Sequence, residues 1–128
     1  MEHVGAVILS SLVGVNVDAV SFEYGIRLHF ADKSFLYVEE PFTVTRDGLD
    51  VLIDPQTVSD NSGLVLGVLD DSVNEARILS EGQLWVDFAG GTTFFVPVSM
   101  QHDSWTFGVT GVSLFISPPG GEIQQFDE

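Results

Sequence analysis

The chain has 128 residues, 45% of them hydrophobic, with ten Phe and no Cys. That is enough for one domain, residues 1–128, with its own core, and it rules out disulfides and thiolate metal sites. A formal net charge of −15, from 19 acids against 4 bases, repels nucleic-acid phosphates and anionic membrane surfaces, so neither is expected as a partner.

From the N-terminus, Val4 to Gly14 (VGAVILSSLVG) is apolar. It is shorter than the roughly 20 residues a membrane-spanning helix needs. It also lacks the basic lead of a signal peptide, because no Lys or Arg precedes Arg27. The expectation is a buried first element in a cytoplasmic protein.

The chain then reads as two related stretches, 12–42 and 65–98. Leu12-Val-Gly14 is matched by Val65-Leu-Gly67. The run Ile26 to Val38 (IRLHFADKSFLYV) aligns without a gap on Leu84 to Val96 (LWVDFAGGTTFFV), 58 positions later. The Gly14/Gly67 offset of 53 then puts about five extra residues before the second hairpin, at Leu79 to Gly82. Period-2 alternation places Ile26, Leu28, Phe30, Leu36 and Val38 on one face, as it does Leu84, Val86, Phe88, Phe94 and Val96. Asp32-Lys33 and Gly90-Gly91 suit tight turns that need positive φ. Between the stretches, Asp54 as cap and Pro55 at the first helical position predict one short helix within 55–66, ended by Gly67. Beyond Val98, Ser104 to Val109 and Val112 to Ser117 read as strands about the turn Thr110-Gly111. Pro118-Pro-Gly-Gly121 is a breaker, Glu122 to Phe126 a last edge strand, and Asp127-Glu128 a frayed end. The predicted fold is mainly β (β-rich α+β): two related antiparallel β-meanders forming one sandwich or barrel-like core, with one short helix between the halves.

The opposite faces of the hairpins are not plainly polar. One carries Trp85, Asp87, Thr93 and Phe95, the other Arg27, His29, Phe35, Tyr37 and Glu39. A solvated face is mainly polar, so Trp85 and Phe95 need cover from this chain or from a partner.

Chemistry-bearing motifs are sparse. His3, His29 and His102 stand at no metal-ligand spacing. Asp47-Gly48-Leu49-Asp50 is a fragment of a calcium loop and no more. Glu39-Glu40 and Asp70-Asp71 read as loop acids. There is no G-x-S-x-G elbow, no G-x-G-x-x-G and no P-loop. No catalytic residue, metal or cofactor is predicted.

Several segments together carry a resemblance: Leu12-Val-Gly14, Glu39-x-Pro41-Phe42-Thr43, Ile53-Asp54-Pro55, Leu66-Gly67, Leu84-x-Val86-x-Phe88, Gly91-Thr92, His102-x-x-Trp105, Gly111 and Ser117-Pro-Pro-Gly-Gly-Glu-Ile123. From about Leu12 to Phe126 the chain resembles a family of small actinobacterial proteins known only as a domain of unknown function. The resemblance implies a compact intracellular domain and brings no activity or catalytic residue; the family usually has Tyr where His102 stands.

Three functions follow as expectations. The first is an acidic, non-catalytic protein-binding module, of the immunity or antitoxin type, that masks a basic partner such as a toxin domain. Its anchors would be Trp85, Phe95 and Tyr37, ringed by Glu39, Asp87 and Arg27. The second is a structural homodimer joined through the apolar outer face. The third, a small-ligand binder or enzyme, would use a cavity between the halves. Alternatively, the acidity serves solubility alone.

Overall fold

The computed structural model describes residues 11–57, 62–79, 81–109 and 113–127. Its eleven strands are β1 Val17–Phe22, β2 Ile26–Phe30, β3 Phe35–Val38, β4 Phe42–Arg46, β5 Leu49–Ile53, β6 Val73–Ile78, β7 Leu84–Phe88, β8 Thr92–Val96, β9 Trp105–Val109, β10 Ser113–Ser117 and β11 Gln124–Asp127. One helix, α1 (Ser62–Leu66), lies between β5 and β6. The strands form two antiparallel sheets, ordered β1-β2-β3-β9-β10-β11 and β5-β4-β8-β7-β6. The predicted β-rich class and, among the described residues, one short helix between the halves are therefore observed.

The core is built from the predicted inward faces. Every inward hairpin residue is buried, joined by Phe42 and Val44 of β4, Trp105 and Phe107 of β9 and Phe115 of β10 in one cluster spanning both sheets. Phe94 packs at 5.0 Å from Phe88 and 5.2 Å from Phe42, in tilted and edge-on contacts of the kind aromatic rings prefer.

The two meanders repeat each other in register. Ile26 and Leu28 stand opposite Val38 and Leu36, as Leu84 and Val86 stand opposite Val96 and Phe94. Val17, Val20 and Phe22 face Phe30, Leu28 and Ile26, as Val73, Ala76 and Ile78 face Phe88, Val86 and Leu84. Both first strands carry a bulge at the same place, between Val17 and Ala19 and between Val73 and Glu75. The hairpin that follows each meander then crosses over: β4 pairs with β8, and β9 with β3.

Reciprocal backbone bonds seam the sheets where β1 and β6 begin. The Gly14 N–H donates to the Val73 carbonyl (2.7 Å) and the Asp70 N–H to the Val17 carbonyl (2.9 Å). The Val73 N–H donates to Val15 (3.0 Å) and the Val17 N–H to Asp71 (2.8 Å). Gly14 and Asp70 share the left-handed conformation, at φ 84° and 67°. Asp70, rather than Gly67, is thus the counterpart of Gly14. Counted from that pair, the second half has two extra residues before its hairpin rather than five, in the 79–83 link.

Other expectations change locally. Asp54-Pro55 does not start the helix. The Asp54 carboxylate accepts the Gln56 N–H (2.9 Å) and its carbonyl the Thr57 N–H (3.1 Å), which closes a turn by the side-chain mimicry Asp favours. Helix α1 begins at Ser62 and ends before Gly67. Asp47-Gly48 is the tight turn of the β4–β5 hairpin, with φ 54° and 78° between the paired residues Arg46 and Leu49; both positive values are what a type I′ turn requires. Asp127 pairs with Ser113. Residues 4–10 of the apolar N-terminal stretch, and the turn Thr110-Gly111, lie outside the described residues. Among the described residues no helix is long and apolar enough to cross a membrane.

Candidate docking surface

Strand alternation that buries one row of side chains must push the next row outward. On the five-stranded sheet the outward row runs across neighbouring strands as Leu52, Thr43, Phe95, Trp85 and Arg77. Leu52 is 67% exposed and Phe95 36%. Trp85 is half-buried, and the Arg77 guanidinium lies 4.7 Å from its ring centre. The chain thus covers Trp85 in part with its own cation and leaves Phe95 more open.

The next row is acidic and hydroxylated: Asp50, Thr45, Thr93, Asp87 and Glu75. Hydrogen bonds fix it. The Thr45 hydroxyl donates to Asp50 (2.6 Å), the Thr93 hydroxyl to Asp87 (3.0 Å) and the Asn74 amide to Asp87 (2.9 Å). Glu75 pairs with Arg77 at 3.0 Å.

Beyond Phe95 the sheet ends in an open trough of about 650 Å³, with Phe95, Pro97, Val98 and Met100 as its apolar lining and Glu81 and Glu122 among its polar residues. Met100 is 78% exposed. Three loops make this trough, and backbone contacts lock them together. The Gly120 N–H donates to the Ser99 carbonyl (2.9 Å), and the buried Trp105 indole donates to the Gly82 carbonyl (3.0 Å). Gly82 and Gly121, at φ 98° and 85°, lie so close that a Cβ on Gly82 would overlap the Gly121 carbonyl, and one on Gly121 the Glu81 carbonyl. Only glycine permits both the backbone angle and the approach. All these residues belong to the second half of the chain, so the trough is not a cavity between halves.

The third predicted anchor, Tyr37, and two of the predicted ringing charges, Arg27 and Glu39, sit elsewhere. Arg27 and Tyr37 lie on the outer face of the six-stranded sheet, on the far side of the core. There the Arg27 guanidinium rests 4.6 Å from the Phe35 ring centre and 5.0 Å from that of Tyr37. The Tyr37 hydroxyl donates to the Glu23 carbonyl at 3.1 Å. Burial, with the nearby charges of Glu39 and Glu23, raises the Tyr37 pKa against the pull of Arg27. Glu39 is half-buried just past β3. Burial and the Asp103 charge raise its pKa, and His102 opposes them. His102 also contacts Glu40 at 3.3 Å. The six residues therefore form two groups on opposite faces, Trp85, Phe95 and Asp87 on one and Arg27, Tyr37 and Glu39 on the other. Leu52, Met100, Glu81 and Glu122 were not anticipated at the first surface. Leu52 alternates with buried Ile53 and half-buried Val51, a readable signal; Met100 lies in a loop that offers none.

Among the described residues, no three His, Asp or Glu gather as a metal site would require.

The sequence model of DUF6188, a family of unknown function, matches residues 8–127. Nothing among curated proteins or solved structures matches the chain.

Proposed function

We propose, from the premise that this chain belongs to the DUF6188 family, that it is a non-catalytic docking module. Its five-stranded sheet receives a basic protein, in the manner of an immunity protein masking a toxin domain. One observation carries this reading: an outward row holding Leu52, Phe95 and Trp85 lies beside a row holding Asp50, Asp87 and Glu75, in a chain of net charge −15. Aromatic anchors inside a charged rim are the arrangement that concentrates binding energy at protein interfaces. The acidic field would speed the encounter with a cationic partner at low salt.

The test immobilises the wild-type protein and its Phe95→Arg and Trp85→Ala variants in lysate of the source cell. The expected result is a basic protein retained by wild type at low salt, weakened at high salt and lost with either variant. Failure of wild type to retain any basic protein at low salt overturns the reading. A wild-type dimer in light scattering that Phe95→Arg dissociates would assign the surface to self-association instead.

A further inference from the structure

We propose that the trough at the end of the five-stranded sheet takes an arginine side chain from an extended segment of the basic partner. This rests on the docking reading and names the group that enters.

The lining divides by chemistry. Phe95, Pro97, Val98 and Met100 offer apolar surface, Glu81 and Glu122 bring the charge, and no Lys or Arg lines the trough. A site with carboxylates beside exposed carbon suits a ligand that is both cationic and amphipathic, which describes an arginine with its methylene stem. Guanidinium fits better than ammonium because it is flat, weakly hydrated and stacks on aromatic faces. The chain itself shows this chemistry three times: Arg77 over Trp85, and Arg27 over both Phe35 and Tyr37. Trp85 and Phe95 are directly opposed across β7 and β8. Among the described residues Phe95 has no cation of the chain over it, although its cross-strand neighbour does. A partner arginine there would extend the row by one stacked pair.

The trough is also preformed. The bonds Gly120 to Ser99 and Trp105 to Gly82, and the close approach of Gly82 to Gly121, hold the loops bearing Glu81, Met100 and Glu122 together without ligand. Less ordering entropy is then lost on binding. A volume of about 650 Å³ exceeds what one side chain needs, so two or three residues of the segment would lie in it.

The experiment titrates the full chain, carrying methyl-labelled Met, with acetyl-triarginine amide, and in parallel with the trilysine and tricitrulline peptides. The expected result is a saturable shift of the Met100 methyl and the Gly120 amide with triarginine, binding at least several-fold weaker with trilysine, and none with citrulline. The double variant Glu81→Gln/Glu122→Gln should weaken triarginine about tenfold. Met100→Ala, followed at the Gly120 amide, should weaken it less. Equal affinity for the arginine and lysine peptides, an unaffected double variant, or shifts centred on Asp50 and Asp87 would each overturn the inference. The docking reading is judged separately by the lysate experiment: if triarginine misses the trough while Trp85→Ala still loses the retained partner, only the arginine assignment falls.

Discussion

The indole N–H of Trp105, a fully buried side chain of β9, donates to the carbonyl of Gly82 in the 79–83 link at 3.0 Å. The Ser117 hydroxyl reaches the same oxygen at 3.4 Å. A strand of the six-stranded sheet thereby holds a link between two strands of the other. Trp105→Phe removes the shorter bond and leaves the serine contact, with an expected loss of about 1–3 kcal/mol. Gly82→Ala should cost more, because it adds a clash with Gly121 to an unfavourable φ. Urea midpoints would rank the two. A silent Gly82→Ala would show that the link does not need this backbone path.

Asp71 anchors the β7–β8 turn. Its two carboxylate oxygens accept the Gly90 N–H at 3.0 and 3.1 Å, and one also accepts the Ser72 N–H at 2.8 Å. Asp71→Ala should lower stability by about 1.5–3 kcal/mol, the range for hydrogen bonds to a charged group. Asp71→Asn, which keeps an acceptor oxygen, should recover part of it. Chemical denaturation of the three proteins checks the order.

On the outer face of the six-stranded sheet the Phe35 ring lies against Gly108, directly across the β3–β9 pairing. A methyl group there would overlap the ring. Gly108→Ala should therefore cost about 1–3 kcal/mol by overpacking, and much less in a Phe35→Ala background. A double-mutant cycle measures the coupling; additive costs would contradict the contact.

Neighbouring phenylalanines on β8 should behave oppositely. Phe94→Ala empties a fully buried site and should cost about 3–5 kcal/mol. Phe95→Ala, on the outward row, should stay within about 0.5 kcal/mol while abolishing partner capture. Melting curves of both, with the lysate assay on the second, separate packing from docking.

Glu39 supplies a pH signature. Its folded pKa is raised, chiefly by burial and then by Asp103. In the window above the ordinary glutamate value of about 4.3, the folded state holds a proton the unfolded state has released. Its contribution to stability falls as pH rises through that window and stays unfavourable above it. Glu39→Gln should accordingly be more stable than wild type at pH 7, and the two should converge below pH 4. Urea midpoints across pH 3.5–7.5 test the sign.

What could be read in advance follows the periodicity. Both central hairpins alternate without interruption, so their buried faces and their register of 58 were visible in the residues alone. β1 and β6 each contain a bulge, which breaks the alternation at its first step and hides the strand. The β4–β5 hairpin turns at Asp47-Gly48, a signal easily passed over because these residues invite comparison with a calcium loop, of which they make only a fragment. Of the surface, Trp85, Asp87 and Phe95 were legible as outward residues of one hairpin. That Tyr37, Arg27 and Glu39 face away from them was not, because nothing local specifies which sheet each hairpin joins. The trough depends on three loops meeting, and loops carry no periodic signal.

The crossing of β4–β5 onto β8, and of β9–β10 onto β3, has an ancestral reading. A chain of half this length would leave the third strand of its meander and the first strand of its hairpin without their second neighbour, since that hairpin lies beside the other half's meander. It would have to trade hairpins with an identical molecule about a two-fold axis. Fusing two such copies end to end turns an encounter between molecules into a contact within one. The two outer faces of the present chain are not copies of each other: one carries an arginine against two rings, the other an open phenylalanine.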